Sequence, residues 1–309
     1  DVLPSHTFDS ALQQQIRHMA DRARAVKAAP ETHKAALKQA EAMLKFSKAN
    51  RIKTILLVTD GRATDAGIVV RFTTLTVEDV AVVENDNLYA GEPDPVVGVG
   101  GIFGREGSVL TIRDSIIENN SWDGIALYRG VPGEPDTAPK AEVTGCRIGC
   151  TVGCVDPRGR GAGIGVTWDA ELTAIGNTIH HYWKGLGSFG TSKVYAYNNV
   201  IRHQYGWGVI ASGESEMHAH NNVIAYNGTT GLSAWNLGVS GSFINNIVYG
   251  NGTSADEWVG KKTGIWFNAN PDAFAMHHNL SFQNALFDAC TGGYPYPDRP
   301  PETDPCIPI

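Results

Sequence analysis

Cysteine is scarce in this chain. There are five in 309 residues, too few to frame a fold built on disulfides. Long apolar runs are missing as well. No run of about 18 apolar residues occurs, so no membrane span is expected. Positive charge is not in excess: 25 Lys and Arg stand against 32 Asp and Glu, a formal charge of −7. That balance argues against nucleic acid as a partner. A secretory leader is not visible, and Asp1-Val2-Leu3-Pro4 reads as a mature or trimmed start.

The few cysteines still carry information. Cys290 and Cys306 bracket a Pro/Gly-rich segment and are placed to close it as a loop, which suits an oxidising compartment. A secreted or periplasmic location is therefore expected. Cys146, Cys150 and Cys154 follow C-x3-C-x3-C, which matches no usual zinc spacing. They read as a buried thiol column plus one turn thiol, and no metal is assigned.

What the chain has in quantity is a repeat. Aligned on one polar residue, it gives LTAIGNTI (172–179), VYAYNNVI (194–201), MHAHNNVI (217–224), SFINNIV (242–248) and FAMHHNLS (274–281). The anchors are Asn177, Asn199, Asn222, Asn246 and Asn279, spaced 22, 23, 24 and 33 residues apart. Ser115 and Cys146 fall in the same column further upstream. An aliphatic residue follows two places after most anchors, and a Gly opening a short apolar strand follows after the next turn, at Gly185, Gly208 and Gly231. A period in the low twenties with three short strands per repeat predicts a solenoid. Equivalent residues then stack at about 4.8 Å, and a column of Asn satisfies its amides from turn to turn.

The pattern N-x-I, then a polar turn, then Gly and an apolar strand resembles the repeat of right-handed parallel β-helices. Pectate-lyase-like polysaccharide lyases and mannuronan C5-epimerases share that architecture. The expected fold is an all-β solenoid, a right-handed single-stranded parallel β-helix over residues 51–286. Residues 1–50 carry helical apolar spacing broken at Pro30 and predict a helical hairpin capping the open end. Residues 287–309 are expected to form an irregular tail.

Side chains alternate along the Gly-led strand, so Ile125 and Leu127 point in while Ala126 and Tyr128 point out. The resemblance implies that a polysaccharide lies along this sheet. Long insertions at 129–139, 151–162 and 251–263 are expected to wall the face and to bring Arg129, Arg158, Arg160 and Lys262 to it. Rings at Tyr128, Trp168, Trp183, Trp207, Trp235 and Trp266 suit stacking on sugar faces.

Stacking also predicts a titratable cluster. His181 and His203 fall in one column, and His180, Lys184, Arg202 and Tyr205 lie beside it. Such a set suits removal of a proton next to a uronate carboxylate: a cation steadies the anion, and a His, Lys or Tyr takes and returns protons. Tyr195, Tyr197, His218 and His220 form a second patch, read as cross-strand packing.

The hydrolase motifs of the polygalacturonase type are absent. The epimerase D-P-H-D is matched only by Asp156-Pro157, with Arg158 and Gly159 following. Calcium is the cofactor that the resemblance implies, yet no acidic triplet of that kind can be placed; Asp123 and Asp169 stand at the face's edge. The expected function is a polysaccharide lyase, working as a monomer and cleaving an acidic glycan by β-elimination. A non-catalytic glycan binder or a glycoside hydrolase on the same fold are the alternatives.

Overall fold

The computed structural model describes residues 66–83, 85, 100–120, 122–151, 161–254, 262–291 and 306–307. The expected helical hairpin at 1–50 lies outside them, as do Arg158 and Arg160.

Within the described residues the chain winds through eight full turns, each laying one strand in each of three sheets. Sheet one takes the Gly-led strands, such as Ala162–Val166, Lys184–Ser188 and Trp207–Ala211. Sheet two takes strands such as Glu171–Ile175 and Lys193–Tyr197. Sheet three takes three-residue strands such as Thr178–His180 and Val200–Arg202. Every pairing between successive turns is parallel and in register. The coil is the right-handed parallel β-helix that the repeat predicts, as the handedness of parallel crossovers favours.

The core explains the period. Ile117, Ile148, Ile179, Ile201, Ile224 and Val248 occupy one inward column of sheet three and are fully buried. Each side chain contributes about 1.5–3 kcal/mol by leaving water.

The Asn column is a ladder. Asn199 Nδ2 donates to Asn222 Oδ1 at 3.0 Å and to the Ala174 carbonyl at 3.0 Å. The same pattern runs from Asn177 to Asn279. Cys146 and Ser115 continue the column upstream: the Cys146 amide donates to Asn177 Oδ1, and Ser115 Oγ accepts from the Val80 amide.

A second ladder, five positions after the first, was not foreseen. Gln204, Asn227, Asn251 and Asn284 bond in the same way between sheets three and one. At Tyr182 a phenol stands in for the amide, and its backbone N–H still donates to Gln204 Oε1 at 2.8 Å. Both ladders have a residue with positive φ just before each rung, Asn198 and Asn221 for the first, His203 and Tyr226 for the second. Asn adopts that conformation readily, which accounts for the paired Asn in the sequence.

Two expectations are corrected. Phe287–Thr291 is not tail; it adds a further strand to sheet one, and Cys306–Ile307 pairs with it antiparallel. Cys290 faces Cys306 in that pair and is disulfide-bonded. Cys150 is disulfide-bonded too, so the buried thiol column reduces to Cys146, whose thiol burial pushes up to about 11. No helix among the described residues is long and apolar enough to cross a membrane.

Candidate functional site

The titratable set predicted as one cluster occupies two faces. Lys184 belongs to the outward face of sheet one. His180, His181, Arg202, His203 and Tyr205 belong to sheet three and the corner that follows it. The corner is sharp: Gly185 turns its missing side chain inward, where an added Cβ would meet Gln204 Nε2 at 3.2 Å.

On sheet one, Lys184 extends over Gly187, with its Nζ 5.9 Å from the centre of the Phe189 ring. An added Cβ at Gly187 would come within 2.6 Å of that ring. Gly165, one turn back in register, lies under Asp123, and an added Cβ there would stand 3.5 Å from Asp123 Oδ2. Asp123 is 8% exposed, and its Oδ1 accepts the Ala162 amide at 2.5 Å. Burial pushes its carboxyl up to about 6, with the Ala162 bond and the Lys184 charge opposing. Burial lowers Lys184 below the usual lysine range, with Asp123 opposing. A glycine floor thus carries an acid and an amine that each influence the other.

Further along the same face the tryptophans form a file. Trp183, Trp207 and Trp235 meet edge to face at 5.8 and 5.7 Å, and Trp266 follows at 6.3 Å. The face is less open than the alternation suggests: Trp183 and Trp266 are buried, and so are Ala126, Ile210 and Ser233 in the outward column. Ser233 Oγ, Thr263 Oγ1 and Trp207 Nε1 are buried there without a hydrogen-bond partner. Tyr128 packs against Phe103 at 5.8 Å beneath Arg105, away from the file. Trp168 is exposed, with the Arg129 guanidinium 5.6 Å above it. Lys262 is half-buried beside the last turns. Asp169 accepts the Gly130 amide at 2.9 Å and so closes a loop.

On sheet three, His180 is 5% exposed and lies over Gly149, where any Cβ would overlap its ring. Its Nδ1 is 3.0 Å from His181 Nδ1, and its Nε2 is 3.3 Å from Glu118 Oε1. Glu118 also meets Arg147 Nε at 2.5 Å. His180, then Arg147, hold the Glu118 carboxyl below its usual range against the effect of burial. Glu118 was not foreseen, although stacking places it two turns before His180 in the same outward column.

Arg202 is the next residue of that column and is exposed. His181 packs on His203 at 5.6 Å and Tyr205 at 6.3 Å, and His203 stacks on Tyr226 at 5.5 Å. Burial, then the Arg202 charge, lowers His203.

The second predicted patch is cross-strand packing, as expected. The Tyr195 and His218 rings stack 5.3 Å apart with planes 2° off parallel, and Ser242 Oγ lies 2.7 Å from both His218 and His220. Among the described residues, no group of three His, Cys, Asp or Glu is placed to hold a metal ion. Among the described residues, the calcium implied by the resemblance finds no fitting donor set.

The model of the right-handed beta helix region family matches residues 100–280. No curated protein and no solved structure matches the chain significantly. The chain belongs to the right-handed β-helix family.

Proposed function

From that membership we propose a carbohydrate-active β-helix that cleaves a uronate-containing glycan by β-elimination on the outward face of sheet one. One observation carries the reading: the Asp123–Lys184 pair on its glycine floor. Burial disfavours the lysine cation and brings its pKa down, which favours the amine as a base more than in an exposed lysine. Lys184 takes the C5 proton, the electron pair left behind forms the C4–C5 double bond, and the C4–oxygen bond breaks. Asp123 keeps its proton to higher pH than an ordinary carboxyl and gives it to the departing oxygen. Arg129 and Lys262 meet the substrate's carboxylates, and the half-buried Trp207 and Trp235 take sugar faces. The disulfide-bonded Cys150 and Cys290 suit a secreted or periplasmic protein.

The test is a panel of uronate polymers read by ultraviolet absorbance of the unsaturated product. Product is expected from at least one polymer. No product from any of them, with the fold intact, removes the reading.

A second reading, glycan binding without turnover, is favoured by the unpartnered Ser233, Thr263 and Trp207 groups beside the tryptophans. It predicts retention on a polysaccharide matrix that survives a Lys184→Ala, Arg202→Ala double change.

A further inference from the structure

Sheet two takes no part in this chemistry, yet its outward face holds an unbroken chain of hydrogen bonds. We propose that Ser242 is the nucleophile of an ester-hydrolysing centre there, with His218 as its base, His220 as donor to the oxyanion, and Glu216 as the residue that positions His218.

Glu216 Oε1 is 3.0 Å from His218 Nε2, His218 Nδ1 is 2.7 Å from Ser242 Oγ, and Ser242 Oγ is 2.7 Å from His220 Nε2. Proton counting fixes the direction of the chain. The bond to His218 is the leading cause that holds Glu216 below the usual carboxylate range. A carboxylate only accepts, so His218 carries its proton on Nε2 and gives it to Glu216. His218 Nδ1 is then a lone pair and accepts the Ser242 hydroxyl proton. That hydroxyl has no second proton, so His220 is the donor and holds its own proton on Nε2. Burial, then the neighbouring His218 and His277, disfavours the charged form of His220, which keeps that single proton. The order of acid, imidazole and hydroxyl is that of serine hydrolases, with the two ring nitrogens of the base exchanged.

The parts are held by the solenoid itself. Glu216, His218 and His220 alternate along one strand, Glu216–His220, and Ser242 is the in-register neighbour of His218 on the next turn. Tyr195 stacks on His218 from the turn before. Lys193 Nζ, 3.5 Å from Oε2, and the Tyr195 hydroxyl, 3.5 Å from Oε1, steady Glu216. Gly241, just before Ser242, has φ +127, and an added Cβ would run into the Met217 carbonyl. Only glycine lets the two turns approach there. Ser242 is 6% exposed, and the following turn sets only the exposed Ala275 beside it. The substrate class is therefore an ester with a small acyl group, reached over that methyl.

Ser242 Oγ bonds to the acyl carbon as its proton passes to His218 Nδ1. The carbonyl electrons move onto oxygen, and His220 Nε2–H turns from Oγ to that oxyanion. The intermediate collapses, the bond from the acyl carbon to the alcohol oxygen breaks, and the departing alkoxide takes the proton from His218. Water then attacks the acyl-serine and gives a proton to His218. The bond from the acyl carbon to Oγ breaks, Oγ recovers the proton, and a carboxylic acid leaves.

The test uses the full chain with p-nitrophenyl acetate and with phenylmethylsulfonyl fluoride. Nitrophenol release should saturate with substrate, and peptide mass spectrometry should find the sulfonyl group on Ser242. The label is read on the unaltered chain, so this arm does not depend on any variant folding. Ser242→Ala should lower release about a hundredfold. Glu216→Gln should lower kcat about tenfold and leave KM unchanged, the mark of a residue that acts through His218 in the transition state. His278→Asn copies Asn245 of the turn before, at the same positive φ, and should leave the rate as it was, which separates the centre from any exposed imidazole. Release that persists in Ser242→Ala overturns the proposal. So does a sulfonyl group found elsewhere while Ser242 stays bare. Ester hydrolysis and elimination are read on different substrates, so failure here and failure of the elimination reading are separate results.

Discussion

The outward faces of sheets one and three are built from the same turns, yet water treats them differently. On sheet one a carboxyl and an amine are enclosed over glycine, and burial is the leading cause of both shifts: Asp123 goes up to about 6 and Lys184 comes down. On sheet three the leading influence on Glu118 is a neighbouring imidazole, and its carboxyl goes down. Loss of water sets both shifts on sheet one, whereas a neighbouring side chain sets that of Glu118. Residues four apart in sequence, His180 and Lys184, stand on different faces because a corner lies between them.

The largest effect that would break this contrast is at Lys184. Lys184→Met should lower elimination on a responsive uronate polymer by about a thousandfold, within the range of lost acid–base catalysis. Ultraviolet product formation checks it, and an unchanged rate would empty the sheet-one site of its base.

The corner comes next. Asn227→Leu would strand the Gln204 amide, the Ile201 carbonyl and the Asn251 side chain, all buried. The expected loss is about 3–4 kcal/mol, measured by urea unfolding, and elimination on sheet one should fall with it.

A smaller effect separates the two rules by pH. The folded pKa of Asp123 lies above its ordinary 3.8, at about 6. Its contribution to stability is therefore complete below 3.8 and is lost as pH rises through about 6. The difference is on the order of 2–3 kcal/mol for a shift of this size. The gap between the protein and its Asp123→Asn variant in urea midpoint should change sign or narrow across that window. Glu118 has the opposite sign: its lowered pKa adds stability above 4.5 that is lost on acidification.

The smallest effect is expected far from both faces. Glu216 pairs with His218 and Lys193 on half-exposed sheet two. Glu216→Gln should cost less than about 1 kcal/mol and leave elimination unchanged.

The fold was legible because its signal is periodic. One Asn per turn survives in five repeats and an aliphatic residue two places later in four of them, and the structure stacks them as read. The second ladder escaped because its members vary, from Asn120 through Tyr182 and Gln204 to Asn227, although each sits five places after a first-ladder position. The site was half legible. His180, His181, His203 and Tyr205 do meet. Lys184 was assigned to them because sequence distance does not register the turn at Gly185. Glu118, and the partner of Asp123 at the face's edge, were hidden for a common reason: each carboxylate reaches its partner from two turns away, across a residue small enough to let it pass.

A crystal structure with a bound uronate oligosaccharide tests the central claim most directly. The account predicts sugar density over Gly165 and Gly187, with one ring between Asp123 and Lys184. Density confined to the imidazole column of sheet three, with sheet one bare, would contradict it.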